Sequence, residues 1–242
     1  MTDFVQLWVY LSSTPLFGLT ATLVVYVSAQ AFYARMQQAP WANPVLWSVV
    51  VLAGALTLTG TAYPTYFSGA QFIHFLLGPA VVALGWPLWQ RRSALRARGV
   101  RFVAAALIGG SAAAGSAVLF AWALGLPHEV LLSLVPKSVT APVAMGVAEK
   151  IGGIPALAAV FAVVTGLVGA LSGKYLFDAI GIATDGNGWI ARGFALGTAS
   201  HGIGAARALQ VNAEAGAWAA LALGLQAVLA SVLIPLVSAI IG

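Results

Sequence analysis

Two short runs hold the groups that could do chemistry. In Lys137-Ser138-Val139-Thr140-Ala141-Pro142 an ammonium and two hydroxyls precede a proline. In Gly197-Thr198-Ala199-Ser200-His201-Gly202-Ile203-Gly204 two hydroxyls and an imidazole sit among glycines, and Arg207 follows. Cations and hydroxyls with no acid among them suit a carboxylate or phosphate, held by charge-assisted hydrogen bonds. Thr140 reads as a helix N-cap with Pro142 in the first turn, and Gly152-Gly153 closes that helix. Its open amides and partial positive charge add to an anion site. Thr198 and Ser200 precede a second short helix starting near His201 and carrying Arg207. The candidate substrate-binding residues are therefore Lys137, Ser138, Thr140, Thr198, Ser200, His201 and Arg207.

Plainer roles fit some of these residues. Lys137 could snorkel to an interface, and His201 could be a neutral, hydrogen-bonded packing residue. Arg207 suits the C-terminal dipole of a helix or snorkelling as well as a site. Arg192, close after Asp185-Gly186-Asn187-Gly188, fits an interface residue, and Glu149-Lys150 fits a solvated helix end. Enzyme chemistry finds no support. His74, His128 and His201 are far apart, no HExxH or GxxxxGK[ST] occurs, and Ser200 and His201, adjacent on a helix, diverge by about 100°. No catalytic residue, metal site or cofactor is expected.

The elements that must position these groups are membrane helices. Of 242 residues, 61% are hydrophobic and 7% charged, against about 25% charged in a soluble domain. Mean hydropathy is +0.96. A soluble fold, disorder and nucleic-acid binding are excluded, and zero cysteines exclude disulfides and thiolate metal sites. Apolar stretches near the 20 residues a bilayer needs run over Pro15–Tyr33, Val45–Tyr63, Phe102–Leu126, Ile151–Gly173 and Ala215–Ile241. Met1-Thr2-Asp3 has no basic n-region, so the first span is expected to stay in the mature protein.

Three further stretches are interrupted. Gln71–Trp89 carries Gly78-Pro79, Glu129–Lys150 carries Pro136 and Pro142, and Trp189–Gln210 carries Gly197, Gly202 and Gly204. Irregular backbone at membrane depth is tolerated only when buried in protein or lining a watery cavity. The expected architecture is an all-α integral membrane protein, a single polytopic domain over 1–242, with discontinuous helices that either cross or re-enter. Proline-bounded breaks at Pro79–Pro87 and Pro136–Pro142 raise an internal inverted repeat of the secondary-transporter kind; the general tolerance of membrane helices for Gly and Pro explains them too. Arg91, Arg92, Arg96, Arg98 and Arg101 read as a cytoplasmic loop, which puts the N-terminus outside. Small-xxx-small patterns at Gly169–Gly173 and Gly193–Gly197 read as helix packing and make a homo-oligomer reasonable.

The sequence resembles the LrgB/CidB family. The runs that carry the likeness are Leu134 to Ala144, Gly152-Gly153-Ile154-Pro155-Ala156-Leu157 and Ala191 to Leu209, with Leu76 to Leu84 and Pro87-Leu88 earlier, so that it covers about 44–242. The resemblance implies a multi-pass protein of the bacterial inner membrane that works with a small holin-like partner of the LrgA/CidA type. Two functions attach to such proteins: modulation of murein hydrolases and autolysis, and transport of glycolate, glycerate or pyruvate. A holin-like pore has no need of hydroxyls and cations at helix breaks, whereas a carrier of small hydroxy- or oxo-monocarboxylates does. The expectation is therefore transport, with the two breaks meeting near the midplane and His201 available to carry a proton.

Overall fold

The computed structural model describes residues 15–76, 79, 82, 85–90 and 92–241; residues 1–14, 77, 78, 80, 81, 83, 84, 91 and 242 lie outside the described residues. Every described regular element is helical. The chain divides into two compact units at Val81/Val82.

In the first unit, α1 (Pro15–Arg35), α2 (Pro44–Thr59) and α3 (Tyr63–Phe75) follow one another. Asn43 caps α2 because its Oδ1 accepts from the amides of Val45 and Leu46, and Pro44 opens the helix where a missing N–H costs nothing. Gly60, at φ 64°, ends α2 in the left-handed conformation. α1 packs on α2 and α3, and Thr22 and Tyr66 join their hydroxyls at 2.6 Å. α3 ends at Phe75, followed by a turn at Leu76, inside the stretch expected to be broken. Gly78 lies outside the described residues, and Pro79 stands among residues that do.

The second unit contains α4 (Gly85–Gln90), α5 (Arg92–Ala123), α6 (His128–Leu134), α7 (Ala141–Ile151), α8 (Pro155–Ala179), α9 (Gly186–Val211) and α10 (Ala213–Ile241). Four described helices are long and apolar enough to cross a bilayer: Leu16–Arg35, Gly99–Ala123, Pro155–Ala179 and Ala213–Ile240. This is the helical membrane protein that the composition demands. One expectation is corrected here. Of the arginines expected in a loop, Arg92, Arg96, Arg98 and Arg101 lie in the first turns of α5, while Arg91 lies outside the described residues. Arg and Ala are good helix formers, so helix outruns the apolar stretch that marks its membrane portion.

The core of this unit is built from small residues. α7 buries Ala144, Val147, Ala148 and Ile151, a stripe at helical spacing, and Ala144 and Ala148 pack with Ala158, Ala162 and Ala230 of α8 and α10. Glu149 and Lys150 are exposed on the opposite face. α9 and α10 form a tight hairpin joined at Asn212, whose Oδ1 accepts from the amides of Glu214 and Ala215. Gly193 and Gly197 press against the backbone of Ala215 and Ala219, so the hairpin depends on the absence of a Cβ.

Arg192 is committed to the fold. It is 7% exposed and closes the α8–α9 turn. Its Nη2 meets Asp178 Oδ1 at 2.8 Å and donates to Ile182 O, and its Nε lies 3.2 Å from both Ile182 O and Ala183 O. The guanidinium also stacks over Phe177 and Trp189. Arg192→Ala is expected to destabilise the protein by about 1.5–3 kcal/mol, the range for hydrogen bonds to charged groups, read as a lower unfolding temperature in detergent. Arg192→Lys restores only part, because an ammonium cannot span carboxylate and carbonyls together.

Candidate functional site

The chain leaves helix between α6 and α7, over residues 135–140, and again within α9 at a single residue. Pro136 is buried in the first break. Pro142 starts α7 rather than breaking it, since a proline in the first turn removes an amide that had no partner. Within α9 the break expected at Gly197, Gly202 and Gly204 falls on His201 instead, at φ 41° and ψ −132°. Glycine tolerates this conformation and other residues adopt it under strain, held there by surrounding contacts. The glycines serve those contacts. Gly166 leaves room for the imidazole, Gly169 for the Ser200 hydroxyl, and Gly204 for Ser200 Cβ and the Leu196 carbonyl.

His201 is buried, and its Nε2 lies 2.8 Å from Ala162 O in α8. A carbonyl only accepts, so Nε2 carries the hydrogen and Nδ1 is the atom free to gain or lose a proton. The two breaks meet. A Cβ on Gly202 would lie 4.0 Å from the methyl of Thr140, so the start of α7 abuts the α9 kink.

Hydroxyl groups around this junction lack partners. Thr140 stands at the N-cap position, yet its side chain makes no capping bond. Ser138 Oγ, Thr140 Oγ1 and Thr198 Oγ1 are buried with no hydrogen-bond partner, and so is Gln226 Oε1 of α10. A buried polar atom left unpaired costs about 1–3 kcal/mol, so three hydroxyls are a standing cost that a bound polar group would relieve. Ser200 is fully buried, its hydroxyl against Gly169 of α8. Lys137 is half-buried at the edge of the first break. Arg207 is buried and engaged within the fold six residues past the kink, about 9 Å along the helix axis.

Two cavities flank α5. One, of about 700 Å³, runs from Arg101 and Asn187 to Gly109 and Thr198, beside the ring cluster of Phe102, Phe194 and Trp218. The other, of about 770 Å³, holds Ser138, Gly110 and Gln226 and extends past Val118 and Ser238. The expected site residues are thus divided: Ser138 lines one cavity and Thr198 the other, while Lys137, Thr140, Ser200, His201 and Arg207 line neither. Gln226 escaped sequence reasoning. Its one signal was a lone amide in the long uncharged run from Ala215 to the C-terminus.

A family model described as the LrgB-like family matches residues 22–240. The protein YxaC of Bacillus subtilis (strain 168) is 34% identical over 216 residues, covering 89% of this chain and 92% of its own. YwbG of the same strain is 34% identical over 212 residues, covering 88% and 92%. The holin-like protein CidB of Staphylococcus aureus (strain Mu50 / ATCC 700699) is 31% identical over 238 residues, 97% of each chain. No solved structure matches. The chain belongs to the LrgB-like family.

Proposed function

We propose that this member of the LrgB-like family is a secondary transporter of small hydroxy- or oxo-monocarboxylates, of the glycolate, glycerate or pyruvate class. It acts with a small holin-like membrane partner of the LrgA/CidA type in the bacterial inner membrane, the arginine-rich start of α5 on the cytoplasmic side. It performs no covalent chemistry on what it carries. One observation supports this above the rest: three buried hydroxyls without partners, Ser138, Thr140 and Thr198, lie within four residues of the Thr140–Gly202 contact where two helix breaks meet. The first amides of α7 lack intrahelical acceptors and open at the same junction, where they suit a carboxylate. Hydroxyls suit the neighbouring hydroxyl or carbonyl of the substrate, Lys137 supplies charge at the edge, and His201 Nδ1 is available to a coupling proton.

A second reading has its own support. CidB of Staphylococcus aureus is named a holin-like protein, which favours a membrane scaffold that controls the assembly of a holin-like partner and, through it, murein hydrolases. Uptake of labelled glycolate and pyruvate into proteoliposomes, with and without the partner, separates the two. A carrier saturates with substrate and is inhibited by unlabelled acid. A scaffold gives no uptake alone, and with its partner an unsaturable leak of unrelated solutes.

A further inference from the structure

The two cavities are offset along α5. Along α5 the first borders positions from Ala97 to Gly109 and the second positions from Ala106 to Val118, so the two overlap by about one turn. Together they line α5 from Ala97 to Val118, about 32 Å at 1.5 Å per residue, close to the hydrocarbon thickness of about 30 Å. The cavities lie on different faces of α5 and are parted by its contact with α10. That contact is made of small groups: Ala106 packs wholly buried against Leu221 and Ala222, and Gly110 contributes no side chain at all. A Cβ on Gly109 would lie 3.3 Å from the Thr198 methyl, and one on Gly110 would collide with the Gln226 amide. Gln226 is the one long polar side chain at the divide. It is 8% exposed, its Oε1 has no partner, and it lies along the second cavity.

We propose that the two cavities are opposite vestibules of one translocation path, closed where the Gln226 side chain fills the space left by Gly110. The role of the path follows from these features. Arg101 and Asn187 stand at the end of the first vestibule where an anion would enter, and Thr198 lies at its floor. Gln226 offers an unsatisfied acceptor on the other side of the divide, so a small acid bearing a hydroxyl can exchange one polar partner for the next as it passes. An amide side chain changes rotamer without moving a helix, and the missing Cβ at Gly110 gives it room to do so. The inference rests on the carrier reading for what passes; the path itself can be tested without any substrate.

The chain has no cysteine, so single cysteines report access directly. Ala105→Cys lies in the first cavity and Ala114→Cys in the second. In oriented membrane vesicles a membrane-impermeant maleimide is expected to label Ala105→Cys from one face and Ala114→Cys from the opposite face. Adding Gln226→Ala is expected to raise labelling from the far face at least tenfold at both positions. Gly110→Ala is expected to cut uptake at least tenfold. Gly115→Ala, which meets nothing within 4 Å, leaves uptake unchanged. Labelling of both cysteines from one face, labelling of neither, or no effect of Gln226→Ala overturns the path. Opposite-face labelling without any glycolate or pyruvate uptake keeps the path and removes the carrier reading instead.

Discussion

Replacing the three unpartnered hydroxyls together, as Ser138→Ala, Thr140→Val and Thr198→Val, is expected to leave the protein at least as stable as wild type while sharply weakening the apparent affinity of saturable uptake. Structural hydroxyls behave otherwise. Ser133 donates to Glu129 O and accepts from the Ile154 amide, so Ser133→Ala removes two bonds and lowers stability. At Ser138, Thr140 and Thr198 there is no bond to lose. Removing a buried orphan relieves its desolvation cost, and the valine changes keep side-chain volume. Each hydroxyl bonded to the neutral hydroxyl or carbonyl of the substrate is worth about 0.5–1.5 kcal/mol, or roughly two- to tenfold in affinity per group. The triple variant should therefore lose at least roughly tenfold in apparent affinity while its unfolding temperature in detergent holds or rises. A fall in stability with unchanged uptake means that these hydroxyls serve the fold, and the proposed site is then wrong.

The second large effect concerns the α9–α10 hairpin. Gly197→Ala places a Cβ 2.8 Å from the Ala219 Cα and carbonyl carbon, and Gly193→Ala does the same against Ala215. Backbone cannot swing aside as a long side chain can, so the helices must separate along the whole hairpin. Overpacking costs about 1–3 kcal/mol per site, and each variant is expected near the top of that range, with the double variant failing to insert as a folded protein. Gly146→Ala is the control: nothing lies within 4 Å of its Cβ, and the gain in helix propensity is about 0.5–1 kcal/mol. Intrinsic tryptophan fluorescence during heating in detergent reads all three. Wild-type unfolding of Gly197→Ala would refute the close backbone approach.

Hydropathy by itself determined that the chain is a bundle of membrane helices and roughly where the long spans lie, because lipid exposure is a local demand met by consecutive side chains. Local signals also placed the start of α7 at Thr140-Ala141-Pro142 and its end at Gly152. Where charge and helix propensity disagreed, at Arg92 to Arg101, composition suggested a loop and the backbone made helix. Tertiary structure alone decided the rest. Glycines mark α9 as breakable, but the kink falls on His201 because Ala162 O, 39 residues away, holds its imidazole while Gly197 is needed against Ala219. Arg192 found its partners in Asp178 and two carbonyls of a turn, which no spacing rule specifies. Gln226 became a candidate only when α10 packed on Gly110 of α5. Contacts between residues a hundred positions apart are set by which helix faces can approach most closely, and a linear sequence records the small residues that permit an approach without recording which neighbour makes it.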